Sequence, residues 1–217
     1  MENNIRVSIM ETAMDDAKGV TPNIGAAYEI TVFDKDGKVR QVINEDAKCY
    51  VMNFSRMIRH WFLCSGGSQN TSIYANFKNL SGSIVSSAGV AYPTVGSFKL
   101  DGLAGILTKG IIVGTDGTAV TADDYKIGSL INNGTDAGRL SYDANVIAAF
   151  TESGSTMTMP VSRLVSNGTS NPVVFSEIAL YALGQITIMV LRDVISPSVT
   201  LGVGESALIV YKLIING

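Results

Sequence analysis

Ala207-Leu208-Ile209-Val210-Tyr211-Lys212-Leu213-Ile214-Ile215 puts Ala207, Ile209, Tyr211, Leu213 and Ile215 on one side of an extended chain, and Leu208, Val210, Lys212 and Ile214 on the other. Both sides are greasy. The stretch is rich in β-branched residues and lies between Gly204 and Gly217, so it predicts a strand and not a buried helix. An antiparallel strand with one wet face alternates apolar with polar. One that is apolar on both faces is expected either at the centre of two packed layers or against another subunit.

The same pattern extends upstream to Pro172. Val173 to Ala182 and Gln185 to Asp193 flank Leu183-Gly184 and read as a hairpin with a two-sided apolar arm. Ser196-Pro197-Ser198 is expected to break the ladder, because proline donates no backbone hydrogen bond, and Gly202 and Gly204 mark the turn into the last strand. Three antiparallel strands should therefore close the fold.

Of 217 residues, 46% are hydrophobic and 16% charged, and mean hydropathy is +0.26. That is high for a monomer of this length, so part of the surface is expected to be covered by partners. A net charge of −3 with no basic patch gives no electrostatic basis for binding nucleic acid. Met1 to Val7 lacks the features of a secretory signal, and no uninterrupted apolar run reaches the roughly 18 residues of a membrane span. The expectation is a soluble chain with no membrane partner. Cys49 and Cys64 have no metal-site spacing and read as reduced, packed thiols.

Residues 1–25 read as an N-terminal arm or extension in which Ile5, Val7 and Ile9 alternate before an acidic, mixed stretch. Residues 26–217 read as a single domain. Tyr28 to Phe33 and Lys38 to Val42 flank Asp34-Lys35-Asp36-Gly37, a hairpin whose aspartates serve the turn; a calcium loop would need further acidic ligands at set spacing. Glu45 to Leu63 is the one predicted α-helix, with Asn44 as N-cap, Glu45 and Asp46 in its first turn, and Gly66-Gly67 as its stop. Val51, Phe54, Ile58 and Trp61 fall on one face, and Asn53, Arg56 and His60 on another. The lone histidine cannot make a histidine-based metal site or triad by itself.

Ser83-Ile84-Val85 and Gly110-Ile111-Ile112-Val113-Gly114 read as short strands, the second buried and without a dinucleotide fingerprint. Thr121 to Ile127 reads as a capped turn, in which the adjacent Asp123 and Asp124 point apart and suit capping better than shared-proton catalysis. Val146 to Phe150 and Met157 to Val161 form a second hairpin candidate, and Ser166 to Pro172 a long loop. The fold class is mainly β: an antiparallel, jelly-roll-like β-sandwich with one α-helix near residues 45–63.

Several short motifs occur in a set order. They are Tyr50-Val51-Met52-Asn53-Phe54, Gly110 to Thr115, Asp124-Tyr125-Lys126-Ile127, Gly138-Arg139-Leu140-Ser141-Tyr142, Phe175 to Tyr181, Leu191-Arg192-Asp193-Val194 and the closing strand. Over roughly residues 40 to 215 this order resembles a group of β-sandwich minor structural proteins of tailed bacteriophages. The resemblance implies a virion component present in many copies, made in the host cytoplasm, and it carries over no functional residue.

The resulting expectation is a non-enzymatic structural component of a bacteriophage virion. It would form a multi-copy homo-oligomer on capsid, collar or tail, contact other virion proteins, and use no catalytic residue, cofactor or metal. The alternative is a carbohydrate-binding, receptor-reading module that stacks sugar on Tyr74 or Tyr92. An enzyme would need a carboxylate pair brought together across a cleft by the fold.

Overall fold

A computed structural model describes residues 23–47, 50–63, 76–86, 98–184 and 186–216. The readings made on residues 1–22, Cys49, Cys64, Gly66-Gly67, Tyr74 and Tyr92, and on the side chains of His60 and Trp61, lie outside the described residues. The chain runs β1 (Asn23–Phe33), β2 (Val39–Asp46), α1 (Met52–Leu63), β3 (Asn76–Lys78), β4 (Ile84–Ser86), β5 (Gly110–Gly114), β6 (Ser141–Tyr142), β7 (Val146–Ile147), β8 (Thr151–Ser153), β9 (Thr156–Ser166), β10 (Val173–Leu183), β11 (Thr187–Leu201) and β12 (Ser206–Asn216).

Two antiparallel sheets pack as a sandwich. The larger has the order β2-β1-β12-β9-β6, with β7 and β8 also paired to β9; the smaller is β11-β10-β5, and β3 and β4 form a separate hairpin. The closing strand pairs along its whole length with β1 on one edge and β9 on the other. It is therefore central, as its composition requires, but it does not sit beside β11. The expectation that three consecutive strands close the fold together is corrected: β10 and β11 form one layer and β12 crosses into the other. Asn167 fixes the crossing, since its buried side-chain amide donates to the carbonyls of Leu201, Gly202 and Asn171. Gly204 completes the turn with a positive φ of 80° that glycine adopts at no steric cost.

The proline of β11 interrupts the ladder without ending the strand. Pairing jumps from Glu177↔Val194 to Phe175↔Val199, so Ile195 to Ser198 loop out opposite Ser176 and Pro197 has no ladder bond to donate. The β1–β2 hairpin forms as read from sequence, with Asp34 Oδ1 accepting from the Asp36 and Lys38 amides at 2.9 Å each. The predicted helix start is wrong by seven residues. Glu45 and Asp46 end β2 opposite Tyr28 and Ala27, and the Tyr28 hydroxyl donates to Glu45 at 3.0 Å. An acidic pair after Asn44 mimics a helix N-terminus, but the extended pairing partner prevails. Asn53 is likewise misplaced by the helical pattern. It is buried, and its side chain donates to the Lys78 carbonyl and accepts from the Lys78 amide, which ties β3 to the helix.

Rows of inward side chains follow from the register. Val32, Ala207 and Val165 form one; Ile30, Ile209 and Arg163 the next; then Tyr28, Tyr211 and Val161; all are buried. Facing them from the small sheet are Ile111, Val113, Phe175, Ile178, Leu180 and Val199. The small sheet also buries its outer side. Ile112, Ala179, Tyr181 and Met189 pack with Val51, just before α1, and with Ile127 of the 115–131 loop, making a second core. No helix among the described residues is long and apolar enough to cross a membrane.

Candidate functional site

Among the described residues, buried charge concentrates at three places, and each is tied to the packing above. On the outer side of the small sheet, Glu177 of β10 and Arg192 of β11 stand in otherwise apolar runs. The Glu177 carboxylate is fully buried and accepts from the amides of Asp116 (3.1 Å), Gly128 (3.0 Å) and Ser129 (2.9 Å), and from Arg192 Nε at 2.9 Å. Arg192 Nη1 reaches Asp124 at 2.8 Å and Nη2 lies 3.6 Å from Asp116. This is a clasp that closes the 115–131 loop over the second core. Gly114 and Gly128 allow the close approach, because a Cβ would strike Glu177 at the first and Asp116 at the second.

Asp124 is the residue that the sequence assigned to capping, and it does cap: it accepts from the amide and hydroxyl of Thr121. Burial works to raise its pKa, but the Thr121 hydrogen bonds and the Arg192 guanidinium outweigh it and hold the carboxyl below its ordinary range. Hydrogen bonds from Thr118 do the same for Asp116. Arg192 is raised by Glu177 and Asp124 against its own desolvation. The carboxylates share one guanidinium instead of facing each other across a cleft, and four donors occupy Glu177. Such a cluster is suited to holding backbone and not to moving protons. Among the described residues no group of three His, Cys, Asp or Glu side chains could hold a metal.

The second place is Arg163 of β9, buried between the sheets. Its guanidinium donates to the carbonyls of Asp143 (2.7 Å), Ile106 (2.8 Å), Ile111 (2.9 Å) and Leu103 (3.1 Å), and lies 4.9 Å from the Tyr142 ring centre. Burial pushes its pKa down to about 10, which leaves it charged at neutral pH. Third, the Tyr211 hydroxyl donates to buried Asp193 at 3.0 Å, and desolvation followed by Asp193 drives the tyrosine pKa well up.

One cavity among the described residues is lined by apolar side chains. Along the inner face of the large sheet burial fails at one end: Ile24, Ile215 and Met157 form the last inward-facing row, one step before the terminal Asn23–Asn216–Thr156 row, and they are 42%, 46% and 37% exposed. Phe150, 58% exposed, stands beside them. Together they form the mouth of a cavity of about 230 Å³ that runs inward past Met159, Leu213, Leu180 and Leu191 and is roofed by Phe54, Met57 and Ile58 of α1. Tyr50 ties the roof to β1, stacking on Phe54 with ring centres 4.0 Å apart and donating to the Gly25 carbonyl at 2.7 Å. Burial pushes that hydroxyl up to about 12.

Sequence reasoning placed none of these four features at a site. The usable signal for the clasp and for Arg163 was a charged residue in the interior of a predicted strand, at a position whose strand-face neighbours are largely apolar. No comparable signal marks the mouth, since its residues are ordinary strand residues until the second layer stops short of them. Comparison with protein-family models, with curated proteins and with solved structures finds no match.

Proposed function

We propose that this chain is a non-enzymatic structural protein that assembles in several copies as a homo-oligomer, and that the assembly belongs to a bacteriophage virion, on capsid, collar or tail. The observation that supports the assembly is the outer side of β12. Its inner residues Ala207, Ile209 and Tyr211 are fully buried within the chain, whereas Leu208, Val210 and Ile214 on the other side stay half-exposed. The register places Leu164, Leu208 and Thr31 in one outward row with Val42, which is 51% exposed, and Val146, 59% exposed, lies opposite Ser162 in the next. A central strand that keeps an apolar outer face has the composition of half an obligate interface. The virion part rests on the resemblance of the short motifs.

Light scattering on the purified chain tests the assembly. The expected result is a discrete oligomer at micromolar concentration that Leu208→Asp with Val210→Asp converts to a folded monomer. A wild-type monomer at tens of micromolar overturns it. Recovery of the chain's peptides from gradient-purified particles supports the virion part, and their confinement to host fractions overturns that part alone.

A further inference from the structure

The cavity under α1 has the walls of a ligand site and offers nothing polar inside. We infer that it takes the unbranched alkyl chain of a neutral single-chain amphiphile, with the methyl end inward and the polar head at the mouth. Native interiors leave few voids larger than a water molecule, so a cavity of about 230 Å³ stands out from the packing around it. Leu180, Leu191, Leu213 and Met159 wall its inner end. Tyr50, the one lining side chain able to donate a hydrogen bond, is already committed to the Gly25 carbonyl at 2.7 Å. A guest with a polar group at depth would find no partner there, whereas methylenes leave water for surroundings like their own. Met57, Met157 and Met159 line the cavity, and their unbranched thioethers adapt to a chain of variable conformation. Phe98 on its wall is held at a φ of 56°, a left-handed backbone conformation that is costly for a bulky side chain. Such strain collects at ligand sites, where the surrounding structure holds it in place. Size sets the length of the chain: an apolar cavity of ~150 Å³ accepts benzene, so about 230 Å³ accepts roughly eight to ten carbons. The rim sets the head. Exposed Glu152 of β8 stands opposite Met157, and among the described residues no lysine or arginine lines the cavity, which favours an uncharged head over a carboxylate.

This goes beyond the assembly reading and does not depend on it. The test titrates the full chain, carrying methyl-labelled methionine, with n-butanol, n-hexanol, n-octanol, n-decanol and n-dodecanol, and follows the methionine methyl resonances. Those of Met57, Met157 and Met159 should move, while Met52, outside the cavity, and Met189, in the second core, should not. Affinity should rise roughly fourfold per methylene and level off near about ten carbons. Octanoate should bind several-fold more weakly than octanol. The proposal is overturned by shifts that spread to Met52 and Met189, by affinity that climbs without a break to dodecanol, by octanoate binding as tightly as octanol, or by no binding at the solubility limit. Leu213→Trp fills the inner end from β12; it should stay folded by circular dichroism and weaken octanol binding about tenfold, the loss of roughly two buried methylenes. Met159→Trp reads the same from β9 should the first variant fail to fold. Unchanged octanol affinity in a folded variant overturns the proposal. Neither readout touches Leu208 or Val210, so the two ideas fail separately.

Discussion

The β10–β11 hairpin and the closing strand β12 have the same sequence character, apolar on both sides, yet the fold treats them differently. The hairpin lies between two cores of its own chain: one side meets the large sheet, and the other is covered by the 115–131 loop and the start of α1. Strand β12 has one buried side and one that stays half-exposed. What separates them is a polar device. Glu177 and Arg192 hold a loop over the hairpin's outer side, whereas the outer side of β12 carries the half-buried Lys212–Glu29 pair at 3.0 Å, which joins two strands of the same sheet and holds no loop over them. Two-sided apolarity therefore predicts burial, but it does not say whether the cover comes from the same chain.

Adjacent residues of β12 offer the sharpest way to break this contrast. Ile209→Asp places a charge between the sheets beside Arg163, whose guanidinium is already committed to four carbonyls, at a cost above ~4 kcal/mol against a total stability of about 5–15 kcal/mol. Little or no folded protein is expected by circular dichroism. Leu208→Asp, one residue away, should stay folded and lose only self-association. If both variants unfold, the outer side of β12 is a core surface and the contrast collapses.

The hairpin's cover is the next to test. Glu177→Ala leaves Arg192 and three loop amides without their acceptor, and breaking such a buried pair costs about 3–5 kcal/mol. Guanidinium midpoints should fall accordingly, and the Gly128 and Ser129 amides should exchange far faster than those of β5. Glu177→Leu with Arg192→Leu removes both charges and should recover part of the loss. No recovery would mean that the amide bonds, and not the ion pair, make the clasp.

Arg163 gives a smaller effect in the opposite layer. Its planar fork serves four carbonyls at once, including those of Leu103 and Ile106, and a lysine ammonium cannot reproduce that geometry. Arg163→Lys should cost about 1–3 kcal/mol, the penalty for orphaned buried polar groups, and loosen the 102–106 segment selectively in hydrogen exchange. A loss spread evenly over β9 would show that the residue supports packing alone.

What the sequence made legible follows the range of each interaction. The β1–β2 hairpin, β5, the Ser166–Pro172 loop and the closing strand were readable because alternation and turn residues act within a few positions. Three things were not. Glu45 and Asp46 satisfy the local rule for a helix start but obey a cross-strand partner, Tyr28, seventeen residues earlier. The clasp joins residues 116, 124, 128 and 129 to 177 and 192, and each of these alone resembles a turn or a surface charge. The mouth depends on where one layer ends relative to another, which no local pattern encodes.

The smallest effect is expected from pH, and its sign follows from Asp124. Its folded pKa lies below the unfolded value of about 3.9, so it contributes stability that is complete above that value and is lost as pH falls through the folded pKa. Protonation removes the charge that Arg192 Nη1 holds at 2.8 Å and weakens acceptance from Thr121. The 115–131 loop should therefore loosen below about pH 4, before the sheets do, with the Gly128 and Ser129 amides reporting it at fixed intrinsic exchange rate. Asp124→Asn should be less stable at neutral pH, by less than Glu177→Ala, and should show a flatter acid limb. Parallel acid limbs in the wild type and Asp124→Asn would assign the acid sensitivity elsewhere and leave the loop's cover to Glu177 and its three amides.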